Sequence, residues 1–569
     1  MQTELRTRMG FDGVVITDCG AIGFMTSTHK WTRKNGTAYT PVEVTAASLK
    51  AGTDLCCGSA YSDDLPLAYN AGLVNDTDLD RSVRRVLAGY MELGLFQDSE
   101  EASKDTRRQF DMSIVDSKAH RALAKKAAIS GTVLLKNRNH TLPLGGQGMD
   151  SVRLGSTTGR ARTRPIKLAI VGPNANRTVS LTSSYSGCRN QAGGPIIPEC
   201  SFVTPLDGLR SAASASALFD SDVSYASGVD IDTPDTSGIG AAVAIAAQAD
   251  VTVVFGGLIT CQENGDQCQE AEARDRSTPV NAQGHDDPRA GGTGIGRDYG
   301  IGLPGKQLAL IQALANSTNT TIVLVVMSGS AVEVTWAAAS SRVGAIVQAF
   351  YPGVLGGSAL ADVLLGVTPP AGKLPVMVPT SELQLPDDYL NQSMQAGMGR
   401  THRYFNGTPL YPFGFGLGYS TFTYSNLEVS HSVLPAGAAS VAATNGTIVR
   451  ISVAVTNNGE YAAGPSEEVV LVFARPQLSQ PPTPGMSVPR QMLVGFSKIS
   501  IQPGKTSSVV IAVPSHRLRL VGHDERSFEL LRGRYELYVG GCAPGSSVGM
   551  PTAEEGGPQP PLTAALLVQ

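Results

Sequence analysis

The chain has 569 residues, 42% of them hydrophobic, which is enough for several buried cores and indicates about three or four domains. Its net charge is −4, and no basic stripe typical of nucleic-acid binding stands out. No apolar run reaches the roughly 18 residues of a membrane-spanning helix. The composition therefore indicates neither a nucleic-acid-binding nor a membrane-spanning protein.

Residues 1–110 alternate helix and strand signals. Helical patterns cover 3–9, 42–51 and 79–95, and short strands are predicted at 14–18 and 53–56. These signals make about two β/α units, whereas a complete β/α barrel has eight.

Asp18 ends the first predicted strand. Val14–Ile16 is a continuous β-branched run, which predicts a strand buried on both faces of a parallel sheet. Small residues follow the carboxylate, so Asp18 is expected at the carboxyl end of a strand, where α/β barrels place their catalytic residues. From spacing alone, an Asp that caps the next helix is the commoner interpretation.

A second α/β region follows a charged linker at 98–108. Strands alternate with helices here, which indicates a second, mostly parallel sheet. The predicted strands are 132–136, 167–171, 251–255, 321–327 and 345–349, and the predicted helices are 120–130, 239–248, 305–315 and 357–365.

From about residue 411 the hydrophobic period changes from helical to alternating. Short strands between Gly, Pro and Asn turns predict a β-sandwich, with strands at 449–455, 468–473, 493–501, 507–513 and 535–539. The last 25 or so residues are rich in Pro, Gly and Ala and are expected to form a loosely held tail.

Several segments resemble one enzyme family. Residues 10–19, Gly-Phe-Asp-Gly-Val-Val-Ile-Thr-Asp-Cys, resemble the nucleophile motif of glycoside hydrolase family 3. The Asp-Cys ending is similar to that of its β-xylosidase branch, whereas the β-glucosidase branch usually has Trp after the nucleophile. Residues 134–137, 169–174, 351–353 and 372–375 are similar to the second, α/β-sandwich domain of the family, and the sandwich is similar to its fibronectin type III-like domain.

The resemblance implies a multidomain fold. Residues 1–110 would be the last part of a (β/α)8 barrel, 111–385 the α/β sandwich, 386–440 a connecting segment, 441–545 the fibronectin type III-like domain and 546–569 a tail. About six barrel strands of the family, with the residues that hold the sugar, are not matched. We therefore expect an amino-terminally truncated member whose first segment folds poorly alone, since two parallel strands cannot bury both faces.

Retaining glycosidases need two carboxyl groups about 5 to 5.5 Å apart, one as nucleophile and one as acid/base. The resemblance assigns the nucleophile to Asp18. Residues 269–276, Gln-Glu-Ala-Glu-Ala-Arg-Asp-Arg, resemble a second-domain loop of the xylosidase branch, which places the acid/base on Glu270, with Glu272 as the fallback. Without the resemblance, this stretch reads as a solvated charged loop.

Three other features of the sequence bear on catalysis or cofactor binding: an insert, a histidine and the spacing of possible metal ligands. About 20 extra residues, 277–299, precede the family-like Leu303–Gln307 segment, and their Gly-Gly-Thr-Gly-Ile-Gly run does not directly follow a strand as a dinucleotide loop would. His402 lies in a segment that is structural in the family, so no catalytic role is expected. No metal or organic cofactor is expected, because the cysteines and histidines lack paired metal-ligand spacing.

The cysteines and glycosylation sequons suggest secretion. Among eight cysteines, Cys188 with Cys200 and Cys261 with Cys268 are close enough to pair locally, although buried free thiols are the alternative. The resemblance further implies that Cys19 pairs with Cys57 or Cys56. Nine Asn-x-Ser/Thr sequons favour an extracellular eukaryotic protein, although the first residues lack the apolar core of a signal peptide.

The sequence therefore predicts a retaining exo-acting β-glycosidase. Its expected substrate is the terminal β-1,4-xylosyl residue of xylo-oligosaccharides, with α-L-arabinofuranosides as a side activity. Two alternatives stay open: a non-catalytic fragment that binds only carbohydrate or a partner, and a β-glucosidase. Sugar specificity and oligomeric state are left open by the sequence.

Overall fold

The structure is a computed structural model that describes most of the chain. The described residues are 2–27, 29–96, 112–145, 164–182, 201–259, 301–386, 391, 393–436, 447–459, 461, 464–480, 487–521, 528–545, 547–551 and 557–569. They form two compact units, one containing the described residues up to Ser117 and the other those from Lys118 onward. Within these ranges, no helix is both long enough and apolar enough to cross a bilayer.

The first unit is mainly helical. Two of its helices begin with capping boxes: the side chains of Thr40 and Asn75 accept hydrogen bonds from the backbone N–H groups of Glu43 and Asp78, whose carboxylates in return accept from the backbone N–H groups of the two capping residues. A small core of Ala46, Leu49, Ala68 and Val74 lies between the helices. The elements are a π-helical segment Gln2–Arg8, α1 (Ala21–Ser27), α2 (Pro41–Lys50), α3 (Ala60–Asn70), α4 (Asp76–Glu92) and a 3₁₀ turn Met112–Ile114.

The helices predicted at 3–9, 42–51 and 79–95 are confirmed within a few residues, but the buried strand predicted for Val14–Ile16 is wrong. These residues form a single parallel bridge, between Ile16 and Leu55, and Ile16 is 56% exposed. A parallel strand is buried on both faces only when neighbouring strands and helices surround it. Among the described residues of this unit, only the segment around Leu55 pairs with it.

The second unit begins with a six-stranded sheet. Its strand order is β1-β6-β5-β4-β2-β3, and every neighbouring pair is parallel except β1 with β6. The strands are β1 (Val133–Asn137), β2 (Leu168–Val171), β3 (Ser224–Ala226), β4 (Val251–Gly257), β5 (Thr321–Met327) and β6 (Val343–Gln348). The mostly parallel second sheet is thereby confirmed. Its central strands β4, β5 and β6 are mostly apolar and almost completely buried, as expected when both faces are covered.

Helices accompany this sheet, and two of them cross very closely. A Cβ atom added at Gly357 would collide with the backbone of Thr204, so only glycine permits the approach. The α-helices are α5 (Lys118–Gly131), α6 (Pro205–Ser214), α7 (Ile239–Ala247), α8 (Gln307–Ser317), α9 (Thr335–Ala339), α10 (Gly356–Leu364) and α11 (Thr401–Tyr404), and 3₁₀ turns lie at Arg138–His140, Thr178–Leu181 and Glu382–Gln384. Of these helices, α6, α9 and α11, together with β3, were not predicted.

The remaining strands form the predicted β-sandwich. One sheet has the order β11-β10-β15-β16-β8 and the other β12-β9-β7, with a separate pair β13-β14. The strands are β7 (Phe422–Val429), β8 (Val433–Leu434), β9 (Ile448–Asn457), β10 (Ser466–Leu478), β11 (Met492–Ile501), β12 (Thr506–Pro514), β13 (Leu520–Val521), β14 (Phe528–Glu529), β15 (Gly533–Gly540) and β16 (Leu562–Val568), and a 3₁₀ turn lies at Ser515–Leu518. Buried and exposed residues alternate along β9 and β12, as in a sandwich strand with one face toward the core.

Two boundary predictions need correction. Residues 562–568, expected in a loose tail, form β16 and pair with β15 from Gly533–Val568 to Val539–Leu562. Leu566 and Val568 are buried, and the pairing satisfies an edge of β15 that would otherwise be open. Similarly, β7 and β8 fall within the expected connecting segment 386–440 but belong to the sandwich sheets.

A buried ion pair fastens the α/β region to the sandwich within the second unit. Lys373 Nζ lies 3.2 Å from the Glu468 carboxylate of β10 and donates to the Gly416 carbonyl at 2.8 Å. The Tyr424 hydroxyl of β7 donates to the same carboxylate at 2.7 Å, and burial raises the pKa of Tyr424 well above its ordinary value. Because each member has a partner, the junction is specific, and removal of any one member would leave a buried polar group uncompensated.

Candidate active site

Asp18 lies exposed at the end of the extended segment 14–17. Its Oδ1 accepts a hydrogen bond from the Cys19 backbone N–H at 2.9 Å. Helix α1 begins at Ala21, so Gly20 occupies the position immediately before the first helical residue. Asp18 is therefore not the capping residue of α1, and its carboxylate is accessible for chemistry.

Both flanks of Asp18 are fixed to the segment around Cys57. On one side, the Thr17 N–H donates to the Leu55 carbonyl at 3.0 Å, and the Cys57 N–H donates to Thr17 Oγ1 at 2.9 Å. On the other side, the Gly20 N–H donates to the Cys57 carbonyl at 2.8 Å. A disulfide joins Cys19 to Cys57, which confirms the pairing that the resemblance implied. The backbone that carries Asp18 is thus held immediately before and after it.

Gly58 allows these two segments to lie so close together. Its φ angle is +130°, and a Cβ atom there would lie 3.3 Å from the Gly20 backbone nitrogen. A larger residue would strain the turn and push the segments apart. The neighbouring Cys56 is a free, half-buried thiol, so the alternative pairing of Cys19 with Cys56 is not the one formed.

A buried carboxylate, Asp54, lies beneath the same strand end. Its Oδ2 accepts hydrogen bonds from Arg6 Nη2 at 2.5 Å and from the Val15 N–H at 2.9 Å. Its Oδ1 accepts from Arg85 Nη1 of α4 at 3.1 Å, and its own N–H donates to the Val15 carbonyl at 2.8 Å. Asp54 is only 5% exposed, so these contacts replace its hydration.

Arg6 extends this network to the loop before the strand. Its Nη1 donates to the carbonyls of Phe11, at 3.3 Å, and Gly13, and its Nη2 also reaches the Gly52 carbonyl at 3.4 Å. The sequence interpretation missed Asp54 and Arg6. A signal was present, because Asp54 lies inside a predicted short strand, and a carboxylate buried there requires a cationic or hydrogen-bonding partner.

Glu270 and Glu272, the predicted acid/base and its fallback, lie outside the described residues. The same holds for the 277–299 insert and for Cys188, Cys200, Cys261 and Cys268.

The described flanks of the stretch 260–300 are held together by Gln307, the first residue of α8. Its Oε1 accepts from the Gly257 N–H at 2.8 Å, and its Nε2 donates to the carbonyls of Gly257 at 2.9 Å and Ile231 at 2.7 Å. Asn174 Nδ2, buried at the end of β2, donates to the Leu258 carbonyl at 3.0 Å. The chain thus leaves the carboxyl end of β4 and returns at fixed positions, which is where open α/β sheets place functional loops.

His402 was predicted to be structural. Its ring stacks on Phe413 at a centroid distance of 4.1 Å, and its backbone carbonyl accepts a hydrogen bond from Gln491 Nε2 at 3.0 Å. Burial, helped by the nearby charge of Arg403, lowers the pKa of His402 to about 4. The imidazole is therefore neutral near pH 7.

No group of three or more His, Cys, Asp and Glu side chains in the described part of the chain is placed to hold a metal ion. Cys19 and Cys57 are joined to each other, so neither offers a thiolate ligand.

Three family models match the chain. Residues 132–419 match the Glycosyl hydrolase family 3 C-terminal domain, which is about half of the chain. Residues 1–88 match the Glycosyl hydrolase family 3 N terminal domain, and residues 468–543 match a Fibronectin type III-like domain.

Curated relatives include plant and fungal proteins. The chain is 28% identical to Beta-D-xylosidase 1 of Arabidopsis thaliana over 568 residues, which covers 95% of this chain and 62% of the relative. It is 32% identical to the probable exo-1,4-beta-xylosidase bxlB of Aspergillus fumigatus over 590 residues, covering 99% and 65%, respectively. The chain thus spans less than two thirds of the length of these relatives.

Solved structures show the same fold. A GH3 exo-beta-xylosidase (XlnD), in complex with a xylobiose aziridine activity based probe, superimposes with a TM-score of 0.72 and 25% identity, over 100% of this chain and 63% of that one. The beta-glucosidase from Listeria innocua in complex with isofagomine gives a TM-score of 0.68 and 22% identity, over 100% of this chain and 65% of that one. The second likeness concerns the fold alone.

We predict that Asp54→Ala destabilises the first unit by about 3 kcal/mol or more, because Arg6 and Arg85 would keep buried charge without a partner. Amide hydrogen exchange should accelerate roughly a hundredfold or more at residues 13–16 and 54–57. Asp80→Ala, at an exposed site on α4, is the matched control and should leave exchange unchanged. Equal exchange rates in the two variants would contradict this role for Asp54.

His402 should make the second unit less stable in acid. The unfolded imidazole has a pKa of about 6.5 and the folded one about 4, so between these values the unfolded state binds more protons and stability falls as pH is lowered. Because the ring is only half-buried, solvent screening limits the effect to about 1 to 2 kcal/mol.

His402→Phe should remove this component, so its melting temperature should fall less than that of the unsubstituted protein between pH 7 and pH 4. The exposed His516→Phe variant is the control. If both variants lose stability in acid to the same extent as the unsubstituted protein, the neutral, buried state of His402 is disproved.

Proposed function

Because this chain belongs to glycosyl hydrolase family 3, we propose that it acts in a retaining exo-glycosidase reaction in which Asp18 is the nucleophile. The observation that supports this best is the setting of Asp18. Its carboxylate is exposed, while the backbone on both sides is fixed by the Cys19–Cys57 disulfide and the hydrogen bonds of Thr17 and Gly20. A nucleophile must be both accessible and positioned, since orientation contributes much of an enzyme's rate advantage.

In the proposed reaction, an Asp18 oxygen attacks the anomeric carbon while the acid/base donates its proton to the leaving glycosidic oxygen. This step releases the remainder of the oligosaccharide as an alcohol and leaves the terminal sugar as a glycosyl ester on Asp18. The acid/base, now a carboxylate, then takes a proton from water, whose oxygen displaces Asp18 from the anomeric carbon. Glu270 is the proposed acid/base and Glu272 the fallback.

The proposed substrate is a terminal β-1,4-linked xylosyl residue of a xylo-oligosaccharide, with α-L-arabinofuranosides as a side activity. The names of the xylosidase relatives support this choice. So does Cys19, because its disulfide to Cys57 fills the position where the β-glucosidase branch usually has Trp. A β-glucosidase is the second candidate, since structures of that activity share the fold.

A non-catalytic role is the other candidate, and one observation favours it. The segment that precedes Asp18 makes only one β-bridge within the described residues, and Ile16 is 56% exposed. Weak support of this segment would impair positioning of the nucleophile. Binding of carbohydrate or of a partner would then be the remaining function.

We further propose that the protein is extracellular. The Cys19–Cys57 disulfide persists readily in an oxidising compartment. Several Asn-x-Ser/Thr sequons have exposed asparagines, including Asn35, Asn139 and Asn319, where glycans could be accommodated.

Incubation with 2-deoxy-2-fluoro-β-D-xylosyl fluoride should trap a covalent ester on Asp18. The 2-fluorine slows both formation and hydrolysis of the ester, whereas the anomeric fluoride is a good leaving group that keeps formation fast, so the ester accumulates. Peptide mass spectrometry should find the adduct on the peptide containing Asp18. Asp18→Asn should not be labelled, whereas the nearby exposed Asp12→Asn control should be. An unlabelled but folded chain would support the non-catalytic role, and labelling only by the corresponding glucosyl fluoride would support a β-glucosidase.

Glu270→Ala should slow hydrolysis of xylosides with poor leaving groups by roughly 10²- to 10⁴-fold, because these need a proton on the departing oxygen. Activated aryl xylosides should be affected less, and azide should restore turnover by replacing water as the nucleophile. Glu272→Ala is the matched variant and should show neither effect. The reverse result would assign the acid/base to Glu272.

A further inference from the structure

A cleft of about 270 Å³ lies where the segment 402–413 meets the β-sandwich of the second unit. Its other walls come from Arg475 of β10, from residues 490–491 before β11, and from the turn 543–545 after β15. The proposed hydrolytic reaction uses none of these residues. The cleft therefore needs a separate explanation.

Arg475 is held in a fixed orientation at this cleft. Its Nε and Nη2 both donate to Gln491 Oε1, at 3.4 and 3.1 Å, and its Nη2 donates to the Pro544 carbonyl at 2.8 Å. The guanidinium also lies over the Tyr538 ring, 4.7 Å from its centroid. Within the described part of the chain Nη1 has no hydrogen-bond partner. A guanidinium fixed in this way is preorganised to receive an anion on its remaining edge.

Two arginines bring positive charge to the cleft, and no carboxylate among the described lining residues compensates it. Arg490 is a second arginine in the lining, and neither it nor Arg475 forms an ion pair with any described residue. Glu536 lies opposite Arg475 in the strand register, but its carboxylate accepts from the Tyr538 hydroxyl at 2.9 Å and pairs with Arg534 at 3.7 Å. Among the described residues that line the cleft there is no Asp or Glu, which favours an anionic ligand.

Aromatic rings form another part of the lining. His402 and Phe413 are stacked on each other, and Phe405 lines the cleft beside them. Because burial keeps His402 neutral near pH 7, its ring adds no further charge, and its nitrogens can exchange hydrogen bonds with hydroxyl groups. The cleft thus combines apolar ring surface, hydrogen-bonding groups and two guanidinium groups.

We propose that this cleft binds one pyranose ring that carries a carboxylate, a uronic acid. The carboxylate would pair with Arg475 and Arg490, and the C–H face of the sugar would lie against the aromatic rings. The volume suits one ring, since pockets for larger, drug-sized ligands are about 300 to 1,000 Å³. The choice of a sugar rests on the proposed function, whereas recognition of an anion rests on the cleft alone.

Three probes separate the components of this proposal in isothermal titration calorimetry of the full chain. D-glucuronate carries both the ring and the carboxylate, D-glucose carries the ring alone, and acetate carries the carboxylate alone. We expect D-glucuronate to bind at least tenfold more tightly than either of the others, and to bind more weakly as salt is raised because the attraction is partly electrostatic.

Arg490→Gln tests the site without disturbing the fold, because the Arg490 side chain is exposed. It should weaken D-glucuronate binding at least tenfold. Arg475→Lys should also weaken binding, because lysine keeps the charge but loses the planar donor edge. The control is Arg517→Gln, which removes an exposed arginine that does not line the cleft.

Absence of D-glucuronate binding, or binding that Arg490→Gln does not weaken, would overturn the proposal. Equal binding of acetate would show an anion site without sugar recognition, and equal binding of D-glucose would show that the arginines do not select the carboxylate; either result also overturns it. Because calorimetry requires no turnover, these outcomes are independent of the labelling of Asp18.

Discussion

The buried carboxylate of Asp54 is the interaction on which the first unit depends. It joins Arg6 of the first helical segment, Arg85 of α4 and the backbone of Val15. The apolar core of this unit is small, because the cluster between its helices has four buried side chains with partly buried hydrophobic neighbours such as Leu65 and Leu79. Because this core is small, directional contacts contribute much of the specific geometry of the unit. The contacts of Asp54 reach Val15, and a second set, the disulfide with the hydrogen bonds of Thr17 and Gly20, then holds the residues on either side of the proposed nucleophile.

Local patterns in the sequence predicted elements well where burial is complete. The continuous apolar runs of β4, β5 and β6 and the alternation in β9 and β12 each reflect how many faces a strand buries, so the period alone identifies them. Prediction failed for Val14–Ile16, where the same apolar pattern occurs without the neighbours that bury it. It also failed for β16, because a short run bounded by Pro and Gly resembles a tail until β15 supplies its partner.

The candidate site was predictable only in part. Asp18 and the Cys19–Cys57 pairing followed from the resemblance of residues 10–19 to one family, because a nucleophile motif is local in sequence. Asp54 and Arg6 are 48 residues apart, and no local pattern connects them. The cleft around Arg475 likewise gathers residues from five separate stretches, so its charge balance becomes visible only in three dimensions.

Gln307 has a consequence for how this family can vary. Its side chain hydrogen-bonds to both the N–H and the carbonyl of Gly257. The end of β4 and the start of α8 are therefore joined directly, whatever the number of residues in the stretch 260–300 between them. The entropic cost of a longer loop grows only with the logarithm of its length, about 0.6 kcal/mol for each doubling. Insertions of the size of 277–299 are therefore cheap in stability, and this position can acquire or lose sequence during evolution without unfolding the domain that supports it.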